Sequence, residues 1–251
     1  IRGQHKDYDI WRQLGNNGWG WDDVLPYFVK AENQERGQNE FHGVGGPLSV
    51  SDQRIHLPLL DEFQNAAEEF GIPKTKDFNT GDNHGCGYFQ VTQKDGFRCS
   101  TSVGYLNPIK HRKNLKIITN AHVKKINFEN KIAKEVEFWQ GDELKKVQAD
   151  REIILSSGAI GSPQILQVSG IGNPEKLKNL GIDLVKNLNG VGENLHDHLM
   201  LRPIYKIQGL KSLNKKINSF FGNLMIGLEY VFNRSGPMTM GASQLCMFAK
   251  S

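Results

Sequence analysis

Cysteine is scarce in this chain, with only Cys86, Cys99 and Cys246 among 251 residues. Their spacing fits no zinc-binding pattern, so no metal site is predicted. An odd, sparse set also argues against the disulfide framework that many small secreted domains use. A reducing, cytoplasmic compartment is therefore the default expectation.

Long apolar runs are missing as well. The best candidate, residues 220–232, is interrupted by two glycines, an asparagine and a glutamate. It predicts an amphipathic or buried helix, and no transmembrane segment is expected. The sequence begins with Ile1, with no signal peptide before it, and it ends just after an apolar run. We therefore expect an internal piece of a longer protein.

The chain also lacks a strong excess of one charge. It has 31 Lys and Arg against 27 Asp and Glu, which gives a formal net charge of +4. The densest basic stretch, residues 110–113, has no interleaved aromatic residues of the kind that nucleic-acid surfaces use. A solvated loop and no nucleic-acid partner are predicted.

Periodicity and turn residues predict a series of short elements. Helices are expected at residues 21–32, 58–70, 100–106, 162–168 and 174–180. Strands are expected at residues 48–50, 88–92, 115–119 and 152–156, with a polar turn at 3–8 and loops at 34–40 and 79–87.

The stretch from residue 123 to 149 changes character. It predicts three short strands, at 123–129, 132–140 and 143–149, joined by tight turns. The unbroken apolar run from Ile153 to Leu155 follows and is typical of a buried parallel strand. The order strand, meander, strand, helix favours a parallel α/β sheet with an antiparallel insertion over a sandwich or a bundle.

Small residues follow this last predicted strand, at Ser157, Gly158 and Ala159. They let a backbone or a ligand approach the carboxyl end of the strand, the edge where nucleotides lie in open α/β sheets. Ser162-Pro163 is expected to start the next helix. The same small residues would also permit tight helix–sheet packing, so the residues alone leave both interpretations open.

Three other patterns are not interpreted as sites. Gly170-Ile171-Gly172 and Gly190-Val191-Gly192 lack a third glycine at the dinucleotide-binding spacing, so both are predicted to be turns. His196 and His198 flank Asp197, but no third ligand is nearby in the sequence, and metal binding is not predicted.

The run from Gly158 to Gly172, GAIGSPQILQVSGIG, resembles the second sequence signature of the glucose–methanol–choline oxidoreductases at every constrained position. Further blocks are similar to that family in the same order, at residues 1–11, 41–48, 96–108 and 190–198. The resemblance covers essentially the whole chain and is closest to the choline-dehydrogenase-like branch.

The resemblance implies an α/β fold. It would comprise part of a Rossmann-like FAD-binding domain with an antiparallel meander insertion, and part of an α+β substrate domain. The implied segments are the flavin lid and FAD domain at 1–50, the substrate domain at 51–97, the FAD domain at 98–200 and a second substrate-domain segment at 201–251.

The resemblance also implies the cofactor contacts. Residues 119–123 are similar to the segment whose valine holds the adenine of FAD through its backbone, which implies this role for Val123. Ser157, Gly158 and Ala159 are similar to a second flavin-facing strand end, near the adenosine and the phosphates.

The family's chemistry is implied to lie outside this chain. A histidine would remove the hydroxyl proton of a small alcohol while hydride passes to the flavin. The glycine-rich flavin loop would precede Ile1 and the catalytic histidine would follow Ser251, so no catalytic residue is predicted here. The electron acceptor is not identified, and the chain alone is expected to bind FAD weakly or not at all.

Two alternatives stay open at this point. One is a lyase of the same family that keeps the flavin without redox use. The other is a non-catalytic protein that keeps only the scaffold.

Overall fold

The structure, a computed structural model, describes residues 1–201, 203–209 and 212–250. The chain divides into two compact units, residues 1–115 with 205–251 and residues 116–204. Both units combine helices with short strands, as the α/β class requires. The division of the chain into flavin-domain and substrate-domain segments stays a prediction.

The helices and strands are numbered in the order in which they occur along the chain. The helices are α1 (His5–Gln13), α2 (Trp21–Ala31), α3 (Pro58–Glu69), α4 (Gly158–Val168), α5 (Pro174–Asn179), α6 (Leu213–Ile217) and α7 (Phe220–Asn233). The strands are β1 (Glu32–Gln34), β2 (Leu48–Val50), β3 (Gly85–Tyr88), β4 (Gln93–Lys94), β5 (Phe97–Arg98), β6 (Ala121–Glu129), β7 (Ile132–Gln140), β8 (Glu143–Gln148), β9 (Ile171–Gly172), β10 (Lys186–Asn187) and β11 (Leu245–Phe248).

Helices α2 and α3 begin where their sequence signals predict. At the start of α2, Asp23 Oδ2 accepts the Gly20 N–H over 3.0 Å, which satisfies a backbone donor and suits the helix dipole. Pro58 occupies the start of α3, where a missing N–H costs nothing. The predicted helices at 21–32 and 58–70 and the predicted strand at 48–50 are confirmed.

A small apolar core in the first unit forms between α3 and the antiparallel pair β3–β11. Ala67, Ile72 and Cys86 are buried there, and Leu245 packs against them. This core is modest for a unit of its size, so other interactions must contribute to its stability.

A buried cluster of charged groups joins distant stretches of the first unit. His42 is 1% exposed, with Nδ1 2.7 Å from Glu32 Oε2 and Nε2 2.7 Å from Asp77 Oδ2. Arg2 lies 2.9 Å from the same Glu32 oxygen. Because ionised carboxylates only accept hydrogen bonds, both ring nitrogens donate and the imidazole is positively charged. Two cations and two anions thus neutralise one another, with His42 and Glu32 buried and Arg2 and Asp77 partly exposed.

The second unit is built on the predicted meander, which is confirmed. Strands β6, β7 and β8 form an antiparallel sheet in sequence order. The turn between β6 and β7 has positive φ at Asn130 and Lys131, +50° and +66°, which matches the natural twist of a hairpin. Helix α4 packs against β6. The predicted helices at 162–168 and 174–180 correspond to α4, which starts earlier, and to α5.

The predicted polar turn at residues 3–8 is wrong, because α1 begins at His5. Asp7 Oδ2 accepts the Gln4 N–H over 2.7 Å and caps the helix. Tyr8 packs on Trp21, with ring centroids 5.8 Å apart. Such tertiary packing stabilises a short helix that the local pattern does not reveal.

Two predicted strands, at 115–119 and 152–156, are not formed in the described chain. A strand needs a hydrogen-bonding neighbour on at least one edge, and neither stretch has one among the described residues. Ile154 is accordingly 78% exposed. The parallel pairs that the described residues do form are short, β1 with β2 and β9 with β10.

Three other boundaries differ from the predictions. The strand predicted at 88–92 lies earlier, as β3, which shortens the predicted loop at 79–87. The helix predicted at 100–106 is a π-helical turn over Ser102–Leu106. The turn predicted over Gly170–Gly172 is formed only at Gly170, because Ile171 and Gly172 form β9. Strand β9 pairs with β10, and local sequence does not encode this pairing.

The helix predicted at residues 220–232 is present as α7. Its Ile226 is buried, whereas Phe220 and Phe221 are exposed. None of the helices in the described ranges is long and apolar enough to cross a membrane.

We expect the first unit to lose stability at alkaline pH because of His42. Its hydrogen bonds to Asp77 and then Glu32 raise the pKa of His42 from 6.5 to about 9. A group whose pKa rises on folding stabilises the folded state fully below its unfolded pKa, and this contribution is lost as pH rises through the folded value. The shift corresponds to up to about 3 kcal/mol of the free energy of unfolding. Urea denaturation should therefore show stability falling from pH 6.5 to about 9.

The control for this pH effect is a second histidine. His42→Gln should lower stability at neutral pH and flatten the alkaline loss, whereas substitution of the exposed His111 by Gln should change neither. A pH dependence that persists in His42→Gln would assign the effect to other groups.

Candidate functional site

The candidate site lies in a cleft of the second unit, beside the outer edge of β6. In the sheet order β6–β7–β8, β6 pairs with β7 on one side only, and no described strand pairs with its other side. The backbone N–H and C=O groups along a free edge need other partners.

One of these groups finds its partner in a serine. The Ile126 N–H donates to Ser169 Oγ over 2.8 Å, and both residues are buried. Since this N–H points away from β7, Ile126 and its cross-strand partner Val136 form a non-hydrogen-bonded pair.

The register then defines the direction of the Val123 backbone. Val123 lies opposite Phe138, two residues beyond Val136 on β7, and the pairing of β7 with β8 is unbroken across this stretch. Because bonding and non-bonding pairs alternate along a strand, Val123 and Phe138 form the same non-hydrogen-bonded type. The Val123 N–H and C=O therefore face the free edge.

A bulge at Lys124 makes this arrangement possible. The register shifts between Val123 and Lys125, so one extra residue lies between Val123 and Ile126. Without it, residues three apart would face opposite edges. With it, both residues present their backbone groups to the same side.

Helix α4 supplies the opposite wall. Ser157, Gly161, Gln164 and Val168 recur at helical spacing and form one face. We call the space between this face and the edge of β6 the β6–α4 cleft, with a volume of about 430 Å³. Its lining residues are Ala121, His122, Val123, Lys124, Trp139, Ser157, Gly161, Gln164, Ile165 and Val168.

The start of α4 is not covered by neighbouring side chains at Gly158. Gly158 has φ of +81°, and nothing lies within 4 Å of the position that its Cβ would take. Ser157 makes no side-chain capping bond to the helix, and its own N–H donates to Ser162 Oγ over 2.9 Å. The first amides of α4 thus lack an intrahelical partner, which is the usual feature of an anion-binding helix end.

The charges beside the cleft are largely paired among themselves. Glu137 accepts from Asn127 over 2.9 Å and from Lys146 over 3.1 Å, and these partners hold the pKa of Glu137 at about 2. Lys124 lies 3.4 Å from the other Glu137 oxygen. The cleft therefore offers backbone groups and uncharged side chains for recognition.

The sequence-predicted residues are distributed as follows. Val123 and Ser157 lie together in the β6–α4 cleft, and Gly158 adjoins it as the first residue of α4. Ala159 lines a separate cavity of about 550 Å³, together with Gly192 and His196. The structure thus brings two of the four predicted contacts into one cleft.

Sequence reasoning missed the side chains that complete this site. Gln164, Ile165 and Val168 line the cleft from α4, and Ser169 follows at its end. The helical spacing from Ser157 would have found the first three, since positions 3 to 4 residues apart share a face. Ser169 bonds to Ile126, which lies 43 residues earlier in the chain, so no local sequence pattern predicts its role.

The free edge can pair with a flat ligand that carries a donor beside an acceptor, and adenine is one such group. An outward-facing strand residue presents one N–H donor and one C=O acceptor side by side. Adenine carries an amino donor beside a ring-nitrogen acceptor, so the two edges can pair. Backbone pairing of this kind gives affinity with little dependence on the side chain.

Comparison with known proteins identifies the family. A sequence model of the GMC oxidoreductases matches residues 1–200. The chain belongs to the GMC oxidoreductase family.

Curated relatives agree with the GMC assignment. The oxygen-dependent choline dehydrogenase of Vibrio vulnificus (strain YJ016) is 40% identical over 100% of this chain and 45% of its own length. That of Yersinia pseudotuberculosis serotype IB (strain PB1/+) is 43% identical over 97% of this chain and 43% of its own. The chain therefore spans less than half the length of these relatives.

Solved structures confirm the GMC fold. An FAD-dependent oxidoreductase from Chaetomium thermophilum superimposes with a TM-score of 0.87 at 28% identity, over 98% of this chain and 46% of that one. Pyridoxine 4-oxidase from Mesorbium loti gives a TM-score of 0.68 at 31% identity, over 74% of this chain and 37% of that one.

We expect Gly158→Ala to destabilise the second unit by about 1 kcal/mol, because a side chain disfavours the left-handed backbone conformation. The free space around Gly158 excludes a steric clash as the cause. Gly190→Ala is the matched control, since it also has free space but no left-handed φ, and it should be near neutral. Urea denaturation measures both, and equal effects would contradict the assigned backbone conformation.

Proposed function

We propose that this chain holds the adenosine end of FAD in the β6–α4 cleft, as part of an FAD-dependent enzyme that oxidises a small alcohol. The observation that carries the proposal is the outward-facing N–H and C=O of Val123 at an unpaired sheet edge. Family membership and the FAD-dependent relative in Chaetomium thermophilum support it.

The cleft residues fit adenine in three respects. Val123 offers a donor and an acceptor in one plane. Adenine would pair with both groups, which the free edge otherwise leaves unpaired. Gly161 leaves room for a flat ring beside the helix, since a Cβ there would meet only Ser157 Cβ, at 3.1 Å. Gln164 adds an amide that can donate and accept.

The start of α4 fits the adjoining part of the nucleotide. The unpaired amides at Gly158 and Ala159 suit ribose or phosphate oxygens, because a helix N-terminus favours negative charge. Ser157 brings a hydroxyl next to these amides. We therefore keep Ser157, Gly158 and Ala159, with Val123, as the proposed cofactor contacts.

In the proposed reaction, residues 1–251 and the rest of the protein have different roles. Bound FAD would supply the acceptor for hydride from the alcohol carbon. The residues of this chain bind and orient the adenosine end, so that binding energy gained far from the reacting atoms helps to position them. By resemblance to the family, the catalytic histidine lies outside residues 1–251.

Choline and related small alcohols are the proposed substrate class. The name of the Vibrio vulnificus relative, choline dehydrogenase, supports this choice. The proposal places the protein in the cytoplasm, in agreement with the three cysteines, each of which is free. It includes no nucleic-acid partner.

We expect Val123→Pro to weaken binding of AMP to the 251-residue chain about tenfold, the effect of losing one hydrogen bond of ~1.4 kcal/mol. Proline removes the N–H that faces the free edge, although it also replaces the side chain and fixes φ, and edge positions of this kind tolerate it. Val123→Ala keeps the N–H and should bind AMP as the parent chain does. Amide NMR titration to millimolar AMP measures all three.

Two outcomes of this titration would contradict the proposal. Equal AMP affinity of Val123→Pro and Val123→Ala would exclude the Val123 N–H as a purine contact. An unfolded sheet in Val123→Pro would mean that this N–H belongs to the β6–β7 ladder.

We expect the natural protein that contains this chain to carry flavin that choline bleaches under anaerobic conditions. A choline analogue without the hydroxyl group should leave the visible spectrum unchanged. Bound flavin that no alcohol bleaches would favour the lyase alternative, and a protein without flavin would favour the non-catalytic scaffold.

A further inference from the structure

Ser169 links the free edge of β6 to the end of α4. Its hydroxyl accepts the Ile126 N–H over 2.8 Å and donates to the Ile165 carbonyl. Ser169 is 6% exposed, so solvent does not compete for these bonds. We call this pair of bonds the Ser169 bridge.

A serine often bonds back to the carbonyl four residues earlier in its own helix, with no wider role. Ser169 does this to Ile165, but its hydroxyl also satisfies a donor on a strand 43 residues away. That second bond is the feature that connects the helix with the sheet.

The Ser169 bridge and the β6–α4 cleft occupy successive stretches of one edge. At Ile126 the edge is bonded to Ser169 at the end of the helix. At Val123, on the other side of the bulge, the edge lines the cleft. Both walls of the cleft are therefore anchored at the same hydroxyl. Loss of the hydroxyl would leave a buried N–H without a partner, and the edge would move to find one.

We propose that Ser169 is a positioning residue that sets the distance between the Val123 backbone and α4, and so sets the affinity of the cleft for the adenosine part of the cofactor. This inference rests on the proposed function. It assigns to Ser169 an effect on a ligand that it does not touch.

The test compares variants of the 251-residue chain with AMP as the probe. Ser169→Ala should bind AMP about tenfold more weakly than the parent chain, the loss that ~1.4 kcal/mol produces. Ser169→Thr keeps the hydroxyl and should restore most of the affinity. Leu177→Ala removes a side chain that is 1% exposed in the same unit, so it should lower thermal stability without a comparable loss of AMP binding.

A second measurement needs no ligand. In Ser169→Ala, hydrogen exchange at the Ile126 amide should accelerate and the Val123 amide resonance should shift, whereas both should stay near their parent values in Ser169→Thr and Leu177→Ala. Ser169→Cys, with a weakly bonding thiol, replaces Ser169→Ala if the latter does not fold.

These readouts separate the two proposals. Absence of AMP binding both in the 251-residue chain and in the flavin-free natural protein would overturn the proposed cofactor site, while a shifted Val123 resonance in Ser169→Ala would still support the positioning role. An unmoved Val123 resonance, or equal AMP affinities of Ser169→Ala and the parent chain, would overturn the positioning role alone.

Discussion

A sheet edge with no strand beside it is the constraint on which the second unit depends. Every backbone donor and acceptor along β6 that faces away from β7 needs a partner, and burial makes an unpaired group costly. At Ile126 the partner is Ser169. At Val123 the described chain provides none, and the groups open into a cleft. The candidate site is thus the part of the edge that the protein's own residues leave unpaired.

In the first unit, buried polar groups find their partners through ion pairs. Its apolar core is small, and the groups that join its distant stretches are ionised: Arg2, Glu32, His42 and Asp77. Such a cluster is specific, because each member needs the others for compensation. It is also sensitive to pH, since one member is an imidazole. In the second unit, the partners at the edge of β6 are uncharged, and the buried carboxylate of Glu137 has a pKa of about 2. The two units should therefore respond differently to pH, the first in alkali and the second in acid.

Local signals in the sequence are sufficient for the meander and for α3. The meander follows from alternation and from turn residues such as Asn130, and α3 follows from Pro58 and its apolar spacing. The stretch at 152–156 has a convincing strand pattern, yet a strand exists only with a neighbour, which lies outside local information. The site divides in the same way. Resemblance to the GMC family pointed to Val123, whereas the bond between Ser169 and Ile126 joins residues with no mutual sequence signal.

The extra residue at Lys124 has an evolutionary consequence. Under the proposed function, recognition through the main chain leaves the side chain at position 123 free to vary among residues that a strand accepts. The number of residues between positions 123 and 126 has no such freedom, because one deletion would turn the recognition groups toward β7. Lineages that diverge here should therefore tolerate many substitutions but few changes of length, and spacing rather than identity would mark descendants that still bind the same ligand.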